Sequence, residues 1–117
     1  MKSYTELLAD AKSKVTEITP DAARKLHDEK QWTFLDVRDQ QEVNLGKVPG
    51  AVHISRGTLE SKVEAQIPRD TPVVIYCAGG NRSAFAADVM QQMGYTKVVS
   101  MIDGFRGWAQ AGGEVEG

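Results

Sequence analysis

The chain has 117 residues and a single cysteine, Cys77, set in the stretch VVIYCAGGNRSAFAA at positions 73–87. A lone cysteine is most often a small inert hydrophobe in a core, so its neighbours have to carry any case for chemistry. Four apolar β-formers precede it. Ala78, Gly79, Gly80, Asn81 and Arg82 follow, then Ser83, a residue type favoured at helix N-caps, and an alanine-rich segment of helical character. A strand, a glycine-bearing loop and a helix start in that order form a backbone nest whose N–H groups face one point and attract an anion. Two adjacent glycines alone would also fit an ordinary turn. The helix N-terminus, the loop amides and Arg82 would all favour the thiolate, which is the nucleophilic form of the side chain. The chemistry expected at Cys77 is therefore that of a nucleophilic sulfur. With no second thiol, an internal disulfide, a Cys-x-x-Cys pair and a cysteine-rich zinc site are excluded. The two histidines, His27 and His53, lie elsewhere in the chain and are read as surface or strand residues, with His53 the better placed of the two.

Elements that could position this loop are legible on both sides of it. Ser3 and Glu6 have capping-box spacing, with Leu7, Leu8, Ala11 and Val15 at helical intervals behind them. Thr19-Pro20-Asp21 opens a second helix that ends near Lys30. WTFLDVR at 32–38 reads as a strand, and the next stretch as a short helix, a Gly/Pro turn and a strand at 51–54. Leu59, Val63 and Ile67 mark a helix. TPVVIYC at 71–77 is nearly all apolar, as a central strand covered on both faces should be. A helix from Ser83 to Met93 is expected to stop at Gly94, followed by the strand TKVVSMI and a short helix around Trp108. Trp32 and Trp108 are read as packing anchors. Strands alternating with helices predict a three-layer α/β fold with a mainly parallel sheet and helices on both faces. In such sheets the ligand crevice lies beyond the carboxyl ends of the strands, where Cys77 stands.

Bulk properties narrow the function. The length suits one domain, 1–117, with residues 1–16 forming an extra N-terminal helix. Fourteen Lys and Arg against sixteen Asp and Glu, with no basic run, give no electrostatic support for nucleic-acid binding. No apolar stretch is long enough to span a bilayer and the start has no signal-peptide pattern, so the expectation is a cytoplasmic protein without a membrane partner.

These landmarks together resemble the single-domain rhodanese family, the thiosulfate sulfurtransferases, from about Ile18 to Trp108. FLDVRDQQEVNLGKVPGAVHIS is similar to the family's Asp-Val-Arg, acidic helix and Gly-His-Ile-Pro-Gly-Ala series, with Lys47 in place of the usual His. VVIYCAGGNRSAFAA matches the active-site strand, loop and helix, and MIDGFRGW the closing turn and Trp helix. The resemblance implies a rhodanese-like fold in which Cys77 carries a persulfide, with Ala78, Gly79, Gly80, Asn81, Arg82 and Ser83 holding the substrate. Cys77 would attack the sulfane sulfur of thiosulfate and release sulfite, and cyanide or a thiol, a protein thiol included, would accept the sulfur. It implies no cofactor and no metal. Arg82 would either pair with the donor's sulfonate or stand solvated on the loop. Asp36 and Arg38, at i and i+2 on one strand face, would either reach toward the loop or brace the strand, and bracing is preferred.

Sulfur transfer has two rivals. Phosphatases and arsenate reductases of this fold use a Cys-x5-Arg loop, whereas four residues separate Cys77 from Arg82. That loop is one residue short for ringing a tetrahedral oxyanion. A regulatory binding module would ordinarily lack the cysteine, which leaves the persulfide carrier as the open alternative.

Overall fold

Side-chain caps set where the helices begin. In the computed structural model, which describes residues 1–117, Ser3 Oγ accepts the Glu6 N–H while the Glu6 carboxylate accepts the Ser3 N–H, and this reciprocal box starts α1 (Tyr4–Lys14). Thr19 Oγ1 accepts the Ala22 N–H ahead of Pro20, which opens α2 (Pro20–Glu29) where a missing N–H leaves no intrahelical bond unmade. The remaining helices are α3 (Gln40–Val43), α4 (Leu59–Gln66) behind a 3₁₀ turn at Arg56–Thr58, α5 (Asn81–Gln92) and α6 (Gly104–Gln110). The strands are β1 (Thr16–Ile18), β2 (Thr33–Asp36), β3 (Val52–His53), β4 (Val73–Tyr76) and β5 (Val98–Met101).

All four pairings in the sheet are parallel, in the order β1-β5-β4-β2-β3, so β4 is central. Period-two alternation along β4 sorts the core into two layers. Val73, Ile75 and Cys77 join Leu35, Val63, Ala87 and Met90 on the α4/α5 side. Val74 and Tyr76 join Phe34, Ala23, Met101 and Trp108 on the α2/α6 side. The result is the three-layer α/β architecture with a fully parallel sheet. Because every strand runs the same way, the residues after β2, β4 and β5 all meet at one edge.

Two features depart from the sequence reading. The edge strand β1 pairs Thr16, Glu17 and Ile18 with Val99, Ser100 and Met101. Three residues are too short for any periodic signal, and their strand state comes from the parallel partner. Helix α5 begins at Asn81, two residues earlier than expected, with Gly80 as N-cap at φ 103°. Ser83 is consequently a buried residue of the first turn rather than the cap.

Helix α1 packs on α5. The Tyr4 and Phe85 rings are 6.1 Å apart, Ala11 is buried, and Gln91 Nε2 donates to the Lys14 carbonyl at 2.9 Å. No helix is long and apolar enough to cross a membrane.

Candidate active site

At the end of β4 the chain turns so that three groups converge on one sulfur. The Gly80 N–H lies 3.1 Å and the Ser83 N–H 3.4 Å from Cys77 Sγ, and Ser83 Oγ is 3.6 Å from it. Behind them Ser83 Oγ and Ser100 Oγ are 2.9 Å apart, both residues fully buried. The thiol donates to Ser83 Oγ, and in the thiolate the hydroxyl can reverse and donate to sulfur while Ser100 donates to Ser83. Two amides and a hydroxyl aimed at one atom suit a negatively charged sulfur, and the helix N-terminus adds to them. Cys77 is only 1% exposed, so its sulfur sits at the bottom of the loop rather than on the surface.

The sequence singles out Cys77 and its loop, and the structure adds Ser100 behind them. Its only trace in the sequence is a small polar residue in the apolar strand VVSM, and the pairing of β5 with β4 that sets it behind Cys77 emerges only in the fold.

The loop is held by the turn after β5. Phe105 N–H donates to the Cys77 carbonyl at 2.7 Å and Arg106 N–H to the Ala78 carbonyl at 3.3 Å. A Cβ on Gly104 would stand 2.3 Å from the Cys77 carbonyl oxygen, and one on Gly80 would stand 3.2 Å from the Asp103 nitrogen. Both glycines have positive φ, 50° and 103°, so each is required twice over, by conformation and by close approach.

Asp36, Arg38, Glu42 and Arg82 form two pairs. Arg38 is forked onto Asp36, with Nε 3.0 Å from Oδ1 and Nη2 2.7 Å from Oδ2, and Nη2 also donates to the Gly46 carbonyl at 2.7 Å. Both residues are buried, and the guanidinium lies 4.3 Å from the Phe105 ring centroid. This pair ties the end of β2 to the 46-turn and to α6. Arg82 is forked onto Glu42 of α3, at 2.7 and 3.0 Å. Hydrogen bonds from Arg82 hold the Glu42 carboxyl down at about 2, and those same bonds raise the Arg82 guanidinium above its ordinary value. Arg82 is therefore paired rather than free, with about a third of its side chain still open to solvent.

The other residues of interest make their hydrogen bonds to groups other than the sulfur. His27 Nε2 is 2.9 Å from the Pro49 carbonyl, with its ring edge-on to Trp108, and His53 Nε2 is 2.7 Å from the Arg38 carbonyl. Lys47 exchanges backbone hydrogen bonds with Glu116 and its ammonium reaches the Ala51 carbonyl at 3.1 Å. The ammonium also lies 3.5 Å from the Glu116 carboxylate, so the lysine side chain helps dock that segment. Trp108 is buried and Trp32 packs against the same core layer. Surface clefts of about 440, 390 and 420 Å³ are lined by α2 and its neighbours and include no residue of 77–83. No group of three or more His, Cys, Asp or Glu side chains is arranged to hold a metal ion.

Comparison with known proteins places this geometry among relatives. A family model described as the rhodanese-like domain matches residues 19–111. Thiosulfate sulfurtransferase GlpE of Tolumonas auensis is 35% identical over 96 residues, which is 82% of this chain and 90% of that protein. YrkF of Bacillus subtilis, named as a sulfur carrier protein, is 32% identical over 97 residues, 82% of this chain and 52% of YrkF, so the chain spans about half of that relative. Among solved structures, a protein of unknown function from Rhodopseudomonas palustris, described as a possible tyrosine phosphatase, is similar with a TM-score of 0.91 and 35% identity, covering 99% of this chain and 96% of that one.

Proposed function

The chain belongs to the rhodanese-like domain family, and from that premise we propose that it is a sulfurtransferase working through a persulfide on Cys77. The observation that carries the reading is the convergence of the Gly80 and Ser83 amides and the Ser83 hydroxyl on Sγ. The thiolate attacks the outer sulfur of a donor such as thiosulfate. A bond forms between Sγ and that sulfur, the donor's own S–S bond breaks, and its electron pair leaves with sulfite. The persulfide anion then sits where the Gly80 and Ser83 amides stabilise negative charge. Cyanide or a thiol, small or on a protein, attacks the terminal sulfur and returns Cys77 to the thiolate, so one cysteine completes the cycle.

In this reading Asp36 and Arg38 brace the floor of the site, and Arg82 fixes the loop against α3 through Glu42. Commitment of Arg82 to Glu42 also favours sulfur over phosphate. A phosphatase needs its loop arginine for the oxyanion, and here a carboxylate already occupies the fork. Incubation with thiosulfate should add one sulfur atom to Cys77, followed by loss to cyanide, glutathione or thioredoxin at rates that separate an enzyme from a carrier. Aryl phosphate hydrolysis without any sulfur uptake would replace this reading with the phosphatase one.

A further inference from the structure

We propose that Arg106 is the residue that recognises the anionic end of the sulfur donor, a small sulfonate-bearing sulfane compound. The inference rests on the sulfurtransferase reading and deepens it. A thiosulfate-like donor brings two negative charges to a thiolate, so an uncompensated cation near the mouth of the loop is needed to offset the repulsion.

Three arginines surround the loop, and two are spent. Arg38 is buried on Asp36, and Arg82 is forked onto Glu42. Arg106 is exposed, with no carboxylate within salt-bridge distance. Its guanidinium lies beside the loop itself: Nη1 and Nη2 would be 3.9 and 4.0 Å from a Cβ placed on Gly79. Gly79 has no side chain to block that space.

The base of Arg106 is as fixed as its tip is free. Its N–H is bonded to the Ala78 carbonyl and the preceding Phe105 N–H to the Cys77 carbonyl, so the first turn of α6 and the loop form one unit. A donor entering over Gly79 would meet the guanidinium fork with its sulfonate oxygens while its sulfane sulfur points down to the Gly80 and Ser83 amides and Sγ. In the transfer step Sγ bonds to the sulfane sulfur, the sulfane–sulfonate bond breaks, and sulfite departs beside the guanidinium with both electrons and no proton change.

The test has two arms on the wild type, Arg106→Gln and Arg106→Lys. In single-turnover loading by thiosulfate followed by mass spectrometry, Arg106→Gln should raise the half-saturating thiosulfate concentration ~10-fold, Arg106→Lys should recover part of it, and 0.5 M salt, an arbitrary high setting, should narrow the gap. In the second arm Cys77 is alkylated by iodoacetate, an anion, and by neutral iodoacetamide. Arg106→Gln should lower the iodoacetate rate several-fold and the iodoacetamide rate less than about two-fold. Equal effects on both reagents, or loading unchanged in Arg106→Gln, would overturn the assignment. A wild type that takes no sulfur from thiosulfate yet keeps the charge-selective alkylation would retain Arg106 as an anion subsite and remove the sulfurtransferase reading instead.

Discussion

Behind the Cys77 sulfur, two hydroxyls from different elements make a buried chain, Ser83 Oγ to Ser100 Oγ at 2.9 Å. Ser100→Ala leaves Ser83 without its second partner, so sulfur loading should slow by about 3- to 10-fold at a stability cost of about 1 kcal/mol. Stopped-flow loading and urea unfolding of the same variant would measure both. The Arg82–Glu42 pair gives a second expectation at this scale. Glu42 has its carboxyl lowered in the fold to about 2 from an ordinary 4.5. A depressed folded value means the contribution is present above pH ~4.5 and is lost as pH falls toward ~2. Both partners are about one-third exposed, so solvent screening reduces the contribution to about 1 kcal/mol. Acid unfolding between pH 5 and 2, arbitrary limits that bracket this window, should be shallower in Glu42→Gln than in the wild type. Cys77 was legible in the sequence because strand, glycines and helix start are contiguous with it. Glu42 and Ser100 were not, since their partners lie 40 and 17 residues away and only folding brings them together.

Among the elements, helices announced themselves through caps and periodicity, and central strands through unbroken apolar runs. What the pattern could not supply was the fusion of the β5–α6 turn to the cysteine loop, which depends on backbone carbonyls with no sequence signature. DGF in the closing turn only hints at it. Gly104 is the point of closest approach, 2.3 Å from Cβ to the Cys77 carbonyl oxygen. Gly104→Ala should therefore cost about 2–3 kcal/mol through strain and overpacking. It should also slow sulfur loading more than that loss of stability accounts for, because the loop must shift to admit the methyl group. Thermal unfolding together with loading measured well below the midpoint separates the two effects. The start of α5 carries the same lesson: Ser83 looked like a cap, but Gly80 supplies the left-handed turn, which frees Ser83 to face the sulfur.

For the whole molecule, β4 is the shared spine of two core layers and delivers the cysteine at the edge where the strands end together. This arrangement was legible at low resolution, since alternation of strands and helices places ligand sites at that edge. The docking of residues 114–116 was not. Trp108 Nε1 donates to the Glu114 carbonyl at 2.7 Å, and Glu116 pairs with Lys47 through backbone and side chain. Lys47→Ala removes a partly exposed ion pair and one carbonyl contact, so it should lower stability by no more than about 1 kcal/mol and leave sulfur loading within about two-fold, as neither contact of the Lys47 side chain involves Cys77 or its loop. Limited proteolysis near the C-terminus should become faster in that variant. The account as a whole depends on sulfur reaching one atom. Mass spectrometry of the intact protein after incubation with thiosulfate, with peptide mapping, tests this directly. The prediction is a single added sulfur located on Cys77, removed by cyanide and absent in Cys77→Ser; a wild type that gains no sulfur, or a Cys77→Ser variant that turns thiosulfate over equally well, would contradict it.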